Sequence, residues 1–477
     1  MLHHLLRDGR WGAALMLALI AILLPIVAGF ALFALPREER RVSRAAGTLV
    51  AAATFFILIA AGDAQWSVRW LSRPFEAAFH FGATPISYWL CLLTALCTAC
   101  AIAAANVPRV RAFAALMLLL EGSMLGLFLA RDLLAFALFW DLMLIPVFFG
   151  LLGWSARPGT AWRYLIYNFS AGLLLLLATA AFGVLNGSTD VIGRTDVHLA
   201  GGWTPWIFAG FALAFLVKTP VWPLHTWMPP TYADLPTPMV TVVSAVQSKA
   251  GLYGLIVVAL QLLPQELHRY AGVVIVLGAV SLVYGAAAAL VQNDAKRVVA
   301  YSSLSHLGLI AIAIASGNAY ALQGAMVYLI AHGLFSAALF MIVGYVEERA
   351  GTRSLVRLGG LGKNNPRLAG AFCVACLAAL GLPGLAGFVG ELIILIGVYQ
   401  AGPLWAAIVA LVSIVLASAY FLRLYQGIMN GPEVADLPVR PDLTWLEGLA
   451  VAPLLGALVV VGIVPHAILA AWTVAAR

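Results

Sequence analysis

Fourteen runs of mostly apolar residues, each near 20 residues long, restrict the fold of this chain more than any motif does. They cover roughly 13–34, 46–63, 86–106, 110–130, 133–154, 161–186, 203–223, 237–262, 270–292, 297–316, 319–345, 367–400, 403–429 and 444–473. A helix rising 1.5 Å per residue needs about 20 such residues to cross the ~30 Å hydrocarbon core of a bilayer. In hydrocarbon every backbone N–H and C=O must find an internal partner, so an unbroken apolar run of this length reads as a helix. The expectation is an all-α polytopic membrane protein with about 14 transmembrane helices. With 63% of residues hydrophobic and 10% charged, the chain departs far from soluble domains, in which roughly a quarter of residues are charged. The connecting segments are short, which excludes a separate soluble domain to hold a nucleotide, an iron–sulfur cluster or a large substrate.

A net charge of +7 raises the question of a nucleic-acid partner, and its distribution answers it. Of the 27 Lys and Arg residues, 17 fall in the loops after odd-numbered helices and 8 in the other loops and the two termini, while Lys218 and Lys249 lie inside helices. Basic loops stay on the cytoplasmic side, so both termini are expected to be periplasmic, in a bacterial inner membrane. The first ten residues, "MLHHLLRDGR", precede an apolar stretch with no small-residue cleavage site at the usual distance, which reads as an uncleaved first helix. Five cysteines, Cys91, Cys97, Cys100, Cys373 and Cys376, lie in apolar helices without His or acidic companions, so neither a metal site nor any cofactor is expected in this chain.

Two runs carry their own interruptions. "FLVKTPVWPLHTWMPP" (215–230) puts Lys218 just before Pro220 and Pro223, and "LAALGLPGLAGFVGELIIL" (377–395) puts Pro383 and three glycines before Glu391. Proline removes a backbone donor and clashes with the preceding turn, so helices 7 and 12 should break at membrane depth. Paired broken helices at matching places in two halves point to an inverted repeat with ion sites near the midplane. The spacing predicts two inverted five-helix repeats: helices 4–8 within 110–262 and helices 9–13 within 270–429, after helices 1–3 (1–109) and before helix 14 (430–477).

Five charged residues fall well inside predicted helices: Glu121, Asp141, Lys218, Lys249 and Glu391. A bare charge at mid-membrane costs at least ~3 kcal/mol, and such residues usually face the bundle interior, pair, and mark proton or ion paths. The alternative is a set of static pairs that fix helix register. A carboxylate able to approach and leave a buried lysine acts as a switch on that lysine's proton affinity, and Asp141 with Lys218 is the expected pair. His306, in "YSSLSHLGL", and His332, in "YLIAHGLFSAALF", add groups that exchange protons near neutral pH. His306 is the stronger relay candidate of the two, and His225, in "PLHTWMPP", reads as structural or as lining a cavity.

The segments "LFWDLMLIP", "LVKTPVWPLHTWMPPTYADLPTP", "SKAGLYGL", "DAKRVVAYSSLSHLGL", "AHGLFSAALF", "LGGLGKNNP" and "LPGLAGFVGELIIL" together resemble the antiporter-like membrane subunits of respiratory complex I, the proton-translocating NADH-quinone oxidoreductase. The F-W-[acid]-L-M-L-I-P form and an ending just after helix 14 are more similar to the chain M type than to the chain L type, which continues into a long lateral helix. The resemblance implies a proton path through Asp141, Lys218, Lys249, His306 and Glu391, with Glu121 a further acidic position. It also implies other membrane subunits as partners, a peripheral redox arm elsewhere in the complex, and no redox chemistry or cofactor in this chain.

Two departures stand out. The position of Asp141 is usually Glu, and one methylene fewer shortens the reach toward Lys218 by roughly 1.3–1.5 Å, a gap a water could bridge. "LPTPMVTVVSAVQSKAG" is more similar to the antiporter-like subunit of the multisubunit Na+(cation)/H+ antiporters, or to the related subunit of a membrane-bound hydrogenase, which is the alternative function. A passive anchor, a function of another class, would need neither both lysines nor His306 and Glu391 in series.

Overall fold

A computed structural model describes residues 11–35, 39–195, 197, 199, 202–432 and 441–475. Arg37, His3, His4, His198, Arg477 and the two chain ends, on which part of the expected topology rests, lie outside the described residues. Among the described residues twelve helices are long and apolar enough to cross a membrane, from Met16–Ala34 to Trp445–Ile463. Each coincides with one of the expected runs, and the protein is accordingly a multi-pass membrane protein. The two runs without a long helix are those expected to break. Run 203–223 gives a helix Thr204–Lys218, and after a stretch of turns a short helix Met228–Asp234; run 367–400 gives Pro366–Ala379 and Ala386–Ala401.

Side-chain oxygens start several of these helices. Asp132 accepts from the N–H groups of Leu134 (2.7 Å) and Ala135 (3.2 Å) to cap Leu133–Leu142. Asn318 does the same for Ala319–Ala350 through Tyr320 and Ala321, and Thr444 with Glu447 closes a capping box on Trp445–Ile463. Each cap satisfies donors that have no partner inside the helix, a requirement that becomes stricter away from water.

The chain forms two compact units. One comprises Met1–Gly153, Leu165–Lys218 and Ala250–Leu267; the other comprises Trp154–Tyr164, Thr219–Lys249 and His268–Arg477. At the centre of the first lies Val110–Leu129, buried on nearly every face. Gly122 lets it meet Trp11–Ala34, for a Cβ there would stand 2.9 Å from the Ile22 carbonyl oxygen. In the second unit Ala319–Ala350 is enclosed along its length and runs against Ala386–Ala401. A Cβ on Gly324 would lie 2.6 Å from the Ile394 nitrogen, and one on Gly390 would lie 2.7 Å from Tyr328 Cβ. Without a hydrophobic drive between helices in lipid, close approach through small residues is what holds such pairs together.

Three features were not anticipated. The loop between the second and third runs holds an antiparallel hairpin, Gln65–Leu71 with Ala77–Gly82, with Trp66 opposite Phe81 and Trp70 stacked on Phe79 at 4.7 Å. The fold is therefore helical except for this ribbon, whose strands are too short to register in a search for apolar runs. Run 133–154 divides at Met143 into Leu133–Leu142 and Leu144–Trp154, because Pro146 lacks the N–H that would bond the Leu142 carbonyl. The third is a pair of π-helical stretches, Val243–Gln247 and Leu255–Leu260, flanking Lys249–Gly254. Such bulges reorient the side chains beside them and occur often at functional sites.

Candidate functional site

Six of the eight residues singled out from the sequence fall into two clusters, one inside each unit. The first is built on Asp141 and Lys218. Asp141 sits in the last turn of Leu133–Leu142, directly before the interruption at Met143, and Lys218 is the final residue of Thr204–Lys218. A helix C-terminus presents carbonyls without intrahelical partners and a partial negative charge, a favourable place for an ammonium group. Lys218 is fully buried, its Nζ 5.3 Å from the centre of the Trp140 ring, and it has no hydrogen-bond partner among the described residues. Asp141 Oδ1 likewise has none. The two groups act on each other electrostatically, yet no hydrogen bond joins them. The carboxylate instead rests over the backbone of Gly172 in the neighbouring helix, where a Cβ would stand 2.8 Å from Asp141 Cγ.

The second cluster gathers Lys249, His306, His332 and Glu391. Lys249 is fully buried and its Nζ donates to the Ser244 carbonyl at 2.5 Å, a carbonyl set in the π-helical stretch. It acts electrostatically on both His306 and His332, whose rings lie 5.7 Å apart. His332 is completely enclosed, with neither ring nitrogen hydrogen-bonded among the described residues, so it belongs to the cluster as closely as His306 does. Glu391 lies in the first half of Ala386–Ala401, and its Oε2 rests against Gly381 in the break. Gly381 has φ of +78°, a conformation that costs a residue with a Cβ roughly 1–2 kcal/mol. Both acids therefore occupy space that only a glycine leaves open.

Glu121 and His225 stand apart from these clusters. Glu121 is fully buried on Val110–Leu129, with neither carboxyl oxygen hydrogen-bonded among the described residues. His225 lies in the turns after Lys218, its ring 5.1 Å from Tyr284, as suits a residue that shapes the break.

Sequence reasoning passed over the hydroxyl groups. Tyr328 Oη lies 2.5 Å from His306 Nδ1 and donates to Glu391 Oε1 at 2.5 Å; Tyr420 Oη lies 3.3 Å from His306 Nε2. Gln247, two residues before Lys249 in the chain, donates through Nε2 to Tyr164 Oη at 2.6 Å, and both side chains are buried. A tyrosine in an apolar helix is indistinguishable in sequence from one anchored at an interface. The one available signal was Tyr328 preceding His332 by four residues, which places both on one helix face. Among the described residues no group of three or more His, Cys, Asp or Glu is placed to hold a metal ion, and the five cysteines are free thiols.

Comparison with known proteins places this arrangement. The family described as "NADH:quinone oxidoreductase/Mrp antiporter, TM" matches residues 130–417. The NADH-quinone oxidoreductase subunit M of Rhodobacter capsulatus is 34% identical over 405 residues, covering 81% of this chain and 79% of that protein. A chain of respiratory complex I from Thermus thermophilus superposes with a TM-score of 0.86 at 30% identity, covering 96% of this chain and 99% of that one. A chain of the Mrp complex from Dietzia sp. gives 0.88 at 21% identity, with 97% of each chain covered, a likeness of fold. The chain belongs to the NADH:quinone oxidoreductase/Mrp antiporter family. It is a polytopic membrane subunit of that superfamily, a proton-transporting component rather than a carrier of redox chemistry.

Proposed function

We propose that this chain is a proton-translocating subunit of a respiratory complex I in a bacterial inner membrane. The observation that carries the reading is the coincidence of buried ionisable groups with interrupted helices. Lys218 ends one helix at a break, Asp141 directly precedes another, Lys249 lies between two π-helical stretches, and Glu391 touches the break at Gly381. Static register-fixing pairs would be closed, whereas Asp141 and Lys218 are charged neighbours without a bond. Opening and closing that gap changes the proton affinity of Lys218, because its buried ammonium gains or loses a nearby counter-charge. Lys249, His306, His332 and Glu391 then take up and pass on protons, with Glu391 as the group before release and Glu121 as a supporting acid.

The finer architecture belongs to the same proposal: fourteen membrane passages, two inverted repeats in 110–262 and 270–429, and both termini periplasmic. The partners are other antiporter-like membrane subunits and, elsewhere in the complex, a peripheral arm that reduces quinone. A second reading, the corresponding membrane subunit of a multisubunit cation/proton antiporter, is favoured by Ser248 next to Lys249 and by the P-T-P sequence at 236–238. Purification of the intact complex separates the two, since flavin and iron–sulfur absorbance accompanies only the first.

Lys218→Met tests the central claim. Stranding one partner of a buried pair is costly when it stays charged, but Asp141 can take a proton, so the complex is expected to assemble while proton uptake is lost. Uptake by membrane vesicles at the parental rate would make the pair a structural element and end the proposal.

A further inference from the structure

His306 and Glu391, both expected on a proton path, do not touch. Their nearest atoms, Nδ1 and Oε1, are 4.0 Å apart, too far for a hydrogen bond. Tyr328 fills that gap, its single hydroxyl within 2.5 Å of each. The residue is fully buried on Ala319–Ala350. Its backbone and Cβ are seated where Gly390 lets the two helices meet, and the next residue along is Glu391. The hydroxyl is thus fixed by the same close contact that delivers the carboxylate.

The hydrogen inventory sets direction. A tyrosine hydroxyl carries one proton, and here it donates to Glu391 Oε1. His306 Nδ1 must then be the donor to Tyr328 Oη, leaving Nε2 facing the Tyr420 hydroxyl. This is a continuous N–H···O–H···O line from imidazole to carboxylate.

From this line we infer that Tyr328 is a proton relay between His306 and Glu391, a role that rests on the function proposed above. In the transfer the Nδ1–H bond of a protonated His306 breaks as its proton passes to Tyr328 Oη. The original Tyr328 O–H bond breaks in the same step and its proton forms an O–H bond on Glu391 Oε1. His306 goes from cation to neutral, Glu391 from anion to neutral acid, and Tyr328 ends with the one proton it began with. No phenolate accumulates, so the ordinary tyrosine value of about 10 is no obstacle. The reverse arrangement, with the carboxylic acid donating to Tyr328 and Tyr328 to Nδ1, is the same line after transfer.

The test removes one atom. Tyr328→Phe keeps the ring against Gly390 and deletes the hydroxyl, leaving a 4.0 Å gap. General acid–base groups contribute about 10²–10⁴-fold, so NADH-driven proton uptake by inverted membrane vesicles should fall at least tenfold in an assembled complex, assembly being read from its recovery on a native gel. Replacing Tyr328 with 3-fluorotyrosine restores the hydroxyl with a more acidic phenol. Uptake should return with a shifted pH profile, which a residue that merely holds its neighbours in place would not produce. Parental uptake in Tyr328→Phe overturns the relay, and so does a fluorotyrosine protein whose pH profile matches the parent. Lys218→Met measured alongside separates the two levels of inference. If it loses uptake while Tyr328→Phe keeps it, only the relay fails; if both keep it, the proposed function fails as well.

Discussion

Gly172→Ala adds one methyl group to a transmembrane helix and should impair pumping without weakening the fold. Gly172 lies within Pro158–Asn186, and alanine is favoured over glycine in a helix interior by about 0.8–1.0 kcal/mol, so the helix itself gains. The new Cβ, however, would stand 2.8 Å from Asp141 Cγ. Carbon atoms settle at about 3.5–4.0 Å, so the carboxyl group must move by about 0.7–1.2 Å. That approaches the ~1.3–1.5 Å by which Asp and Glu differ in reach, a difference already present at this position relative to the usual acid. For opposite charges about 5 Å apart at an effective dielectric of about 20, a change of about 1 Å in separation alters the interaction by about 0.6 kcal/mol, or about threefold. A displaced Asp141 therefore resets its coupling to Lys218, and proton uptake per NADH oxidised should drop by about that factor while complex recovery is unchanged. Vesicle uptake assayed with NADH oxidation gives the ratio directly. An assembled Gly172→Ala complex with the parental ratio would show that the position of Asp141 does not govern transport.

At Glu391 the expected result is an unequal pair: Glu391→Gln, which hydrogen-bonds but carries no proton, should lose most uptake, and Glu391→Asp should retain a good part, while equal behaviour of the two would reduce the residue to a helix cap. The surplus of basic residues in alternate loops, 17 against 8, predicts that a periplasm-dependent reporter fused at Arg477 is active; a reporter active only in the cytoplasm would invert the topology.

The sequence by itself determined the membrane class, the positions of the helices and the two broken ones, because burial in lipid imposes a length and an apolarity that any run of 20 residues either meets or fails. It also exposed the ionisable residues, since a charge in an apolar run is costly enough to be conspicuous, and the quoted segments around Asp141, Lys218, His306 and Glu391 were sufficient to identify the family. What it could not supply was distance. Asp141 and Lys218 are neighbours in the fold but unbonded, and only the path of the neighbouring helix shows that Gly172 cradles the carboxylate. His332 ranked below His306 as a single histidine in an apolar helix, yet the fold brings their rings within 5.7 Å. Tyr328, absent from any list of charged residues, links His306 to Glu391 through a hydroxyl whose significance depends on two other helices. The hairpin at Gln65–Gly82, the break at Met143 and the π-helical stretches beside Lys249 had no signature of sufficient length. Hydrophobic burial acts on segments and is legible in composition, whereas proton transfer acts over one hydrogen bond, and contacts of that length between distant parts of a chain exist only once its helices are packed.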